Sequence, residues 1–207
     1  MSNQDHVSRT LLLSRKQPDL MLVSRGSGQN IDPLALDVTS GISQIRVFNI
    51  SNITDGTVYD YPSQGMLLGW GLRNSVGVAE EPATGNIYSV ENSADDILRD
   101  GADIHQDDPG EEMNFHGTLA ANDTAGHHGA NFGYPNCFAL WGTTGVPDIG
   151  NLTVGNQFAL EQTSTINDTF CNEDRVAPRL TFQVRDHDAG GRSPPRRVSR
   201  SPRGSSS

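Results

Sequence analysis

Short apolar stretches alternate with turn-forming clusters along most of the chain. Six runs are strand-like because apolar, β-branched and aromatic residues dominate them: RTLLLSR, DLMLVSRG, SQIRVFNI, GTVYDY, SVGVA and NIYSVEN. The clusters between them are rich in residues that break regular structure: QPD, GSGQN, NITDG and EPATG. Helical periodicity nowhere extends beyond two turns. The pattern predicts an all-β fold and leaves a sandwich, a barrel and a propeller open.

Composition supports a loop-rich β protein with two differently charged parts. Apolar residues make up 34% of the chain, with 22 Gly and 11 Pro. Residues 184–207 hold six Arg and two Asp, a net charge of +4, so the chain's total of −10 leaves −14 on residues 1–183. We expect residues 1–183 to form the propeller-like body and the Arg/Ser/Pro-rich tail to be disordered.

The charge distribution also limits the partners. An acidic body repels nucleic acid and anionic membranes, and no apolar run approaches the roughly 20 residues of a membrane span. An Arg-Ser tail is compatible with RNA binding, but this one is short and irregular. We therefore expect neither a nucleic-acid nor a membrane partner.

Sequons and cysteines indicate an extracellular protein. The sequence contains five Asn-x-Ser/Thr sequons, at Asn49, Asn52, Asn122, Asn151 and Asn167. The N-terminus MSNQDHVSRT lacks the layout of a signal peptide, so we expect the signal to be absent from this chain. Of its two cysteines, Cys137 and Cys171, the simplest interpretation is a disulfide, and two buried free thiols are the alternative.

Three segments together carry a family resemblance. LRNSVGVAEEPATGNIYSVENSADD, DHVSRTLLLS and PGEEMN…GANFGYP resemble motifs of the soluble quinoprotein sugar dehydrogenases. This family includes glucose and sorbosone dehydrogenases and the fungal pyranose dehydrogenases that use pyrroloquinoline quinone (PQQ). The similarity covers residues 5–183, and the motifs follow the family's order.

The resemblance implies a six-bladed β-propeller built from four-stranded blades. At about 40–50 residues a blade, the matching part would hold about four of the six blades. A propeller that lacks blades has unpaired strand edges. We therefore expect a fragment, truncated or mis-spliced, whose isolated residues 1–207 do not turn over sugar.

The resemblance assigns the reaction chemistry to three residues. His6 corresponds to the general base, which takes the proton of the sugar's anomeric hydroxyl, and histidine suits this because its pKa lies near working pH. Arg73 corresponds to the arginine that contacts the quinone oxygens and stabilises charge there. Asn74 would hydrogen-bond the cofactor.

Calcium is the implied metal, at two sites. The ion that polarises the quinone would take the backbone carbonyls of Ser93 and Ala94. A second, structural calcium of bacterial members would correspond to Asp5, Glu112 and the backbone of Phe132. A solvated acidic loop is the alternative explanation for residues 103–112.

The chain departs from the family pattern at Arg25. Bacterial members place there an aspartate that orients the base histidine. Arginine cannot accept the imidazole N–H, so His6 is oriented differently or is impaired. His127 and His128, adjacent in a Gly-rich loop, are interpreted as polar loop residues rather than metal ligands.

The sequence thus predicts a PQQ- and calcium-dependent oxidoreductase that oxidises an aldose, pyranose or sorbosone-like sugar at its hemiacetal carbon. An external electron acceptor, such as a cytochrome, would complete the reaction. The alternative is a truncated non-catalytic propeller fragment or carbohydrate-binding module.

Overall fold

The computed structural model describes residues 5–120, 123 and 127–183, and the predicted tail, 184–207, lies outside them. These residues form thirteen short strands, one α-helix and two 3-10 turns, at Pro33–Leu36 and Val38–Ser40. The all-β prediction is confirmed. None of the helices in these ranges is long and apolar enough to cross a bilayer.

The first blade is an antiparallel meander of four strands, in the order β1 (Leu11–Leu13), β2 (Leu20–Arg25), β3 (Gln44–Asn49) and β4 (Met66–Trp70). β3 is buried on both faces except at its last residue. One face carries Ile45 and Val47, and the other carries Phe48. A two-residue strand, β10 (Ala130–Asn131), extends this sheet by pairing parallel to β4.

The strand predicted for GTVYDY, residues 56–61, is wrong. This segment is irregular, and its two tyrosines serve the first blade instead. The Tyr61 hydroxyl, which has one proton to donate, lies 3.0 Å from the carbonyl oxygen of Val23 and 2.9 Å from that of Gln44. The rings of Tyr59 and Tyr61 both pack against Phe48. These contacts explain why the segment has the alternating aromatic pattern of a strand although it forms no strand.

The second blade is also a four-stranded antiparallel meander. Its order is β5 (Ser75–Glu80), β6 (Ile87–Glu91), β9 (Glu111–Gly117) and β13 (Leu180–Phe182). The two blades pack through one apolar cluster, in which Leu22 and Leu68 of the first blade meet Ile87 of the second. Burying each such side chain contributes roughly 1.5–3 kcal/mol to the stability of the fold.

Two smaller ribbons complete the described fold: β7 (Leu98–Arg99) with β8 (Ala102–Asp103), and β11 (Cys137–Ala139) with β12 (Gln157–Ala159). Helix α1 (Asp168–Glu173) packs beside β12, and Asn167 caps it by accepting from the Phe170 N–H at 2.9 Å. The Cys137–Cys171 disulfide ties β11 to α1, as predicted, with a Cα–Cα distance of 5.5 Å.

The described residues form four sheets, as a partial propeller is predicted to do. Two of the sheets have four or more strands, and the other two have two strands each. The connection between β9 and β13 spans residues 118–179 and holds both β10 and the β11–β12 ribbon.

Candidate functional site

The candidate site lies at one end of both sheets. In an antiparallel meander, the start of one strand and the end of the next lie at the same end of the sheet. His6 precedes β1, the 26–32 loop follows β2, and Arg73 and Asn74 join β4 to β5. The 92–96 loop follows β6. Both blades and the link between them therefore contribute to the site.

His6 is held in one tautomer by Ser27. The His6 Nδ1 lies 3.1 Å from the Ser27 carbonyl oxygen and 2.9 Å from Ser27 Oγ. A carbonyl only accepts, and Ser27 Oγ donates its own proton to the Gln29 carbonyl at 2.8 Å. The proton therefore resides on Nδ1, which leaves the Nε2 lone pair as the basic atom.

Burial lowers the pKa of His6, and the Arg73 guanidinium lowers it further. Hydrogen bonding to Ser27 and the carboxylates of Asp5 and Asp95 oppose this shift. The imidazole is therefore neutral at neutral pH, which is the protonation state that a general base requires.

Arg73 is 3% exposed and is fixed by a loop on each side. Its Nε donates to the Asn30 carbonyl at 3.1 Å, and its Nη2 donates to Asn30 Oδ1 at 2.7 Å and to Asp95 at 3.2 Å. Nη1 donates to the Asn92 carbonyl at 3.3 Å. Within the described part of the chain, one of the five N–H groups is left for a ligand.

Asn74 and His6 both lie close to Gly26. The Nδ2 of Asn74 donates to Asn92 Oδ1 at 2.9 Å. A Cβ at Gly26 would lie 2.4 Å from Asn74 Oδ1 and 2.9 Å from the Cβ of His6. The absence of a side chain at Gly26 therefore leaves room for both His6 and Asn74.

The loop after β6 presents two backbone carbonyls. Ser93 and Ala94 are 6% and 3% exposed, and no donor to either carbonyl is found among the described residues. At the far end of the loop, Asn30 Oδ1 accepts from the Asp95 N–H at 2.9 Å, and Asn30 Nδ2 donates to the Asp95 carbonyl at 2.7 Å. Burial raises the pKa of Glu111, at the start of β9, to about 7, and the Ser93 backbone and the Arg73 guanidinium oppose that rise. Backbone carbonyls that accept from no protein donor are suited to a hard cation.

The TrAA12-like family model matches residues 1–188. The chain belongs to the TrAA12-like family. The predicted resemblance to the quinoprotein sugar dehydrogenases is thereby confirmed.

Two relatives illustrate how much of a TrAA12-like protein is present. A PQQ-dependent sugar dehydrogenase of Hypocrea jecorina (strain QM6a) is 56% identical over 187 residues, which are 89% of this chain and 42% of that protein. A PQQ-dependent pyranose dehydrogenase of Coprinopsis cinerea is 35% identical over 184 residues, or 87% of this chain and 24% of that protein. The chain thus spans less than half the length of either relative.

Solved structures confirm the partial-propeller fold of this TrAA12-like chain. The calcium structure of a Trichoderma reesei carbohydrate-active enzyme of family AA12 has a TM-score of 0.82 at 54% identity, covering 88% of this chain and 45% of that one. The holo form of the PQQ domain of pyranose dehydrogenase from Coprinopsis cinerea has a TM-score of 0.78 at 34% identity, covering 88% and 44%.

The predicted second calcium set of the TrAA12-like chain falls in three different settings. Asp5 is exposed beside His6. Glu112 is 4% exposed and accepts from Asn114 Nδ2 at 3.1 Å. The carbonyl of Phe132 accepts from Gln157 Nε2 at 2.7 Å. This second metal set stays a prediction.

Glu112 faces Glu91 across β6 and β9. Burial raises the pKa of Glu91 well above its ordinary value, and the neighbouring Glu112 raises it further. Burial also raises the pKa of Glu112. Two carboxyl groups in contact inside a sheet are disfavoured as a pair of anions, so one of them carries a proton.

Arg25 stands at the position of the family's orienting aspartate but does not take over its role. Its Nη1 donates to the carbonyl of Ser40 at 3.2 Å, whereas Ser27 bonds the imidazole of His6. His6 is therefore oriented differently, as one of the two expectations stated: Ser27, two residues after Arg25, binds its imidazole. His128 Nε2 lies 2.6 Å from the carbonyl of Thr118, and His127 packs edge-on against Phe115.

Sequence reasoning missed four residues of the TrAA12-like site: Ser27, Asn30, Asp95 and Glu111. Ser27 and Asn30 stand in GSGQN, which the pattern marks only as a breaker, and Asp95 and Glu111 stand in acidic runs. Asn30 contacts Arg73 and Asp95 across 43 and 65 residues of sequence. Local patterns carry no signal for such distant pairs.

Proposed function

We propose that this chain carries the sugar-oxidising site of a PQQ-dependent dehydrogenase that acts on an aldose, pyranose or sorbosone-like sugar at its hemiacetal carbon. The observation that carries the proposal is the neutral, Nδ1-protonated His6 beside the buried guanidinium of Arg73. The reaction removes a proton and develops negative charge. It therefore requires a base and a fixed cation side by side.

The residues present fit the cofactor and its cation. The unpaired carbonyls of Ser93 and Ala94 would hold calcium, and the remaining N–H of Arg73 would reach an oxygen of the quinone. When bound, PQQ would accept the hydride that leaves the sugar. His6 Nε2 would take the proton of the anomeric hydroxyl, while Asn74 would fix the orientation of the cofactor.

A second candidate is a binding module that holds cofactor or carbohydrate without turnover. Its support is the internal saturation of Arg73, which donates four hydrogen bonds to protein oxygens. A tricarboxylate held by one remaining N–H and one ion would be mobile, and a 1 Å displacement costs hydride transfer about a hundredfold.

Dye-linked dehydrogenase activity separates the two candidates. The purified chain is supplied with PQQ, calcium and several aldoses, and its His6→Ala variant is the comparison. Sugar-dependent dye reduction that falls by about a hundredfold or more in His6→Ala supports the dehydrogenase. Cofactor binding without turnover supports the binding module. The absence of both activity and cofactor binding contradicts both candidates.

We also propose an extracellular, glycosylated protein that passes electrons to an external acceptor. The sequon residues Asn49, Asn52 and Asn151 are exposed, and Asn122 lies outside the described residues. The disulfide adds support, since disulfides persist in oxidising compartments. Secretion from a fungal host followed by glycosidase treatment would lower the mass if the sequons are used, and an unchanged mass would contradict this.

A further inference from the structure

The side-chain amide of Asn30 binds the backbone of Asp95 on both sides of its Cα. Asn30 Oδ1 accepts from the Asp95 N–H at 2.9 Å, and Asn30 Nδ2 donates to the Asp95 carbonyl at 2.7 Å. A backbone N–H only donates and a carbonyl only accepts, so these two partners fix which end of the amide is the oxygen. Because the two backbone groups belong to consecutive peptide planes, one side chain orients both planes.

The same amide oxygen also holds Arg73. Arg73 Nη2 donates to Asn30 Oδ1 at 2.7 Å, and Arg73 Nε donates to the Asn30 carbonyl at 3.1 Å. The guanidinium and the 92–96 loop therefore meet at a single residue. The direct ion pair between Arg73 and Asp95 is a weaker link, since the Asp95 side chain is 73% exposed.

The backbone of Asn30 is anchored on the side away from the 92–96 loop. Tyr134 is buried, and its hydroxyl lies 3.0 Å from the Asn30 carbonyl oxygen. The same hydroxyl accepts from the Asp32 N–H at 2.7 Å. Asn30 thus reaches the loop from a fixed main chain.

The bonds to Asp95 control where the preceding carbonyl points. In a trans peptide the C=O and the N–H point in opposite directions. The Asp95 N–H points at Asn30, so the Ala94 carbonyl, which belongs to the same peptide, points away from it.

The loop is fixed at its other end by Arg73, whose Nη1 donates to the Asn92 carbonyl at 3.3 Å. The carbonyls of Ser93 and Ala94, for which the described ranges show no donor, therefore lie between two fixed peptide groups. Arg73 binds one of these groups and Asn30 the other, and the two side chains are bonded to each other.

We infer that Asn30 is a positioning residue that couples Arg73 to the 92–96 loop, so that the guanidinium and the loop carbonyls keep one arrangement toward a cation and its anionic ligand. This inference rests on the proposed function, in which the Ser93 and Ala94 carbonyls hold calcium. Asn30 acts through its neighbours, because both polar atoms of its side chain are engaged by protein groups.

Hydrogen exchange of the Asp95 amide tests the positioning role without any cofactor. Asn30→Ala removes the acceptor of the Asp95 N–H and should speed its exchange by about two- to tenfold, the range for one hydrogen bond between neutral groups. Asn30→Asp keeps an acceptor oxygen and should restore most of the protection. Gln29→Ala is the matched control and should change nothing at Asp95, because Gln29 is an exposed amide of the same loop whose Nε2 donates to the Ile31 carbonyl.

Unchanged Asp95 exchange in Asn30→Ala would overturn the inference. Equal acceleration in Asn30→Ala and Asn30→Asp would overturn it as well, because the acceptor oxygen would then be irrelevant. Acceleration spread evenly over the amides of β6 and β9 would show that Asn30 supports the whole fold rather than the loop, and this result also contradicts the inference.

Terbium luminescence tests the consequence for the cation. Terbium should bind the wild-type chain, and Asn30→Ala should weaken that binding by about tenfold while Gln29→Ala leaves it unchanged. Faster Asp95 exchange with unaltered terbium affinity would overturn the link between Asn30 and the cation. A wild-type chain that binds no terbium would contradict the proposed function itself, and Asp95 exchange would still decide whether Asn30 holds the loop.

Discussion

Gly26 is the residue to which the side chains of His6 and Asn74 both come close. A Cβ there would stand 2.4 Å from Asn74 Oδ1 and 2.9 Å from His6 Cβ, both closer than side chains tolerate. Its φ lies outside the left-handed region, so the requirement for glycine is steric rather than conformational. Gly28 differs, because its added Cβ would approach only Asp32 Oδ2, at 3.1 Å.

We predict that Gly26→Ala destabilises the fold by about 1–3 kcal/mol through overpacking, whereas Gly28→Ala costs less than about 1 kcal/mol. The reason is that His6 and Asn74 must both shift in the first variant, while a single carboxylate rotates in the second. Urea unfolding of the two variants and the wild type measures the difference. Equal losses would contradict the placement of His6 and Asn74 close to Gly26.

Asp108 offers a test of buried charge at a single residue. Its carboxylate accepts from the backbone N–H groups of Trp141 and Gly142, at 2.7 and 3.1 Å. Burial nevertheless raises its pKa to about 6. The native state therefore holds its proton to higher pH than the unfolded chain does.

We predict that the wild type loses stability relative to Asp108→Asn as pH rises from about 4 to about 6. Below the ordinary pKa of an aspartate both states are protonated and the raised pKa contributes fully; the contribution is lost as pH rises through the folded-state pKa. Urea unfolding of both proteins at several pH values gives the difference. Parallel stability profiles would mean that the carboxyl group titrates normally.

At the scale of elements, five of the six predicted strands exist. Each of the five pairs with a neighbouring strand, as its pattern of apolar and polar residues suggests. DLMLVSRG and SQIRVFNI become β2 and β3 because their apolar residues face covered surfaces on both sides. GTVYDY has the same alternation, but its tyrosine hydroxyls bond backbone carbonyls of the first blade. Tertiary contacts, which local sequence does not encode, decide between the two outcomes.

The two small ribbons depend on one buried ion pair. Arg99 of β7 is fully buried and makes two hydrogen bonds to Asp168 at the start of α1, at 3.1 and 2.8 Å. It also donates to the carbonyls of Ala159 and Asp148. One guanidinium thus joins β7, β12 and α1.

We predict that Arg99→Ala destabilises the protein by about 3–5 kcal/mol, because it leaves the carboxylate of Asp168 without its partner. Arg179→Ala is the control: its guanidinium lies 5.1 Å over the ring of Phe115 on an exposed surface, and its loss should cost about 1 kcal/mol or less. Chemical denaturation compares the two. Similar costs would show that Arg99 does not hold the ribbons together.

At the scale of the whole molecule, the site belongs to no single blade. His6, Ser27 and Asn30 come from the first blade and its loops, and Ser93 and Glu111 come from the second. Any change in the packing of the blades therefore moves His6 relative to the 92–96 loop. The apolar cluster around Leu22 and Ile87 supports this geometry as well as stability.

The candidate site was predictable where adjacent residues carry it. Arg73 and Asn74 stand side by side in one motif, and His6 stands in another, so a resemblance of short segments is enough to find them. Ser27 was not predictable, since its contact with His6 forms only once the loop after β2 meets the segment before β1.

A PQQ titration in the presence of calcium, comparing Arg73→Lys with Arg25→Lys, tests the central claim most directly. Both variants keep the positive charge and lose the planar fork, but Arg73 is bound into the site, whereas Arg25 Nη1 donates to the Ser40 carbonyl. The account predicts calcium-dependent PQQ binding that Arg73→Lys weakens by about ten- to hundredfold and Arg25→Lys leaves nearly unchanged. Equal losses in the two variants, or PQQ binding that survives removal of calcium, would contradict it.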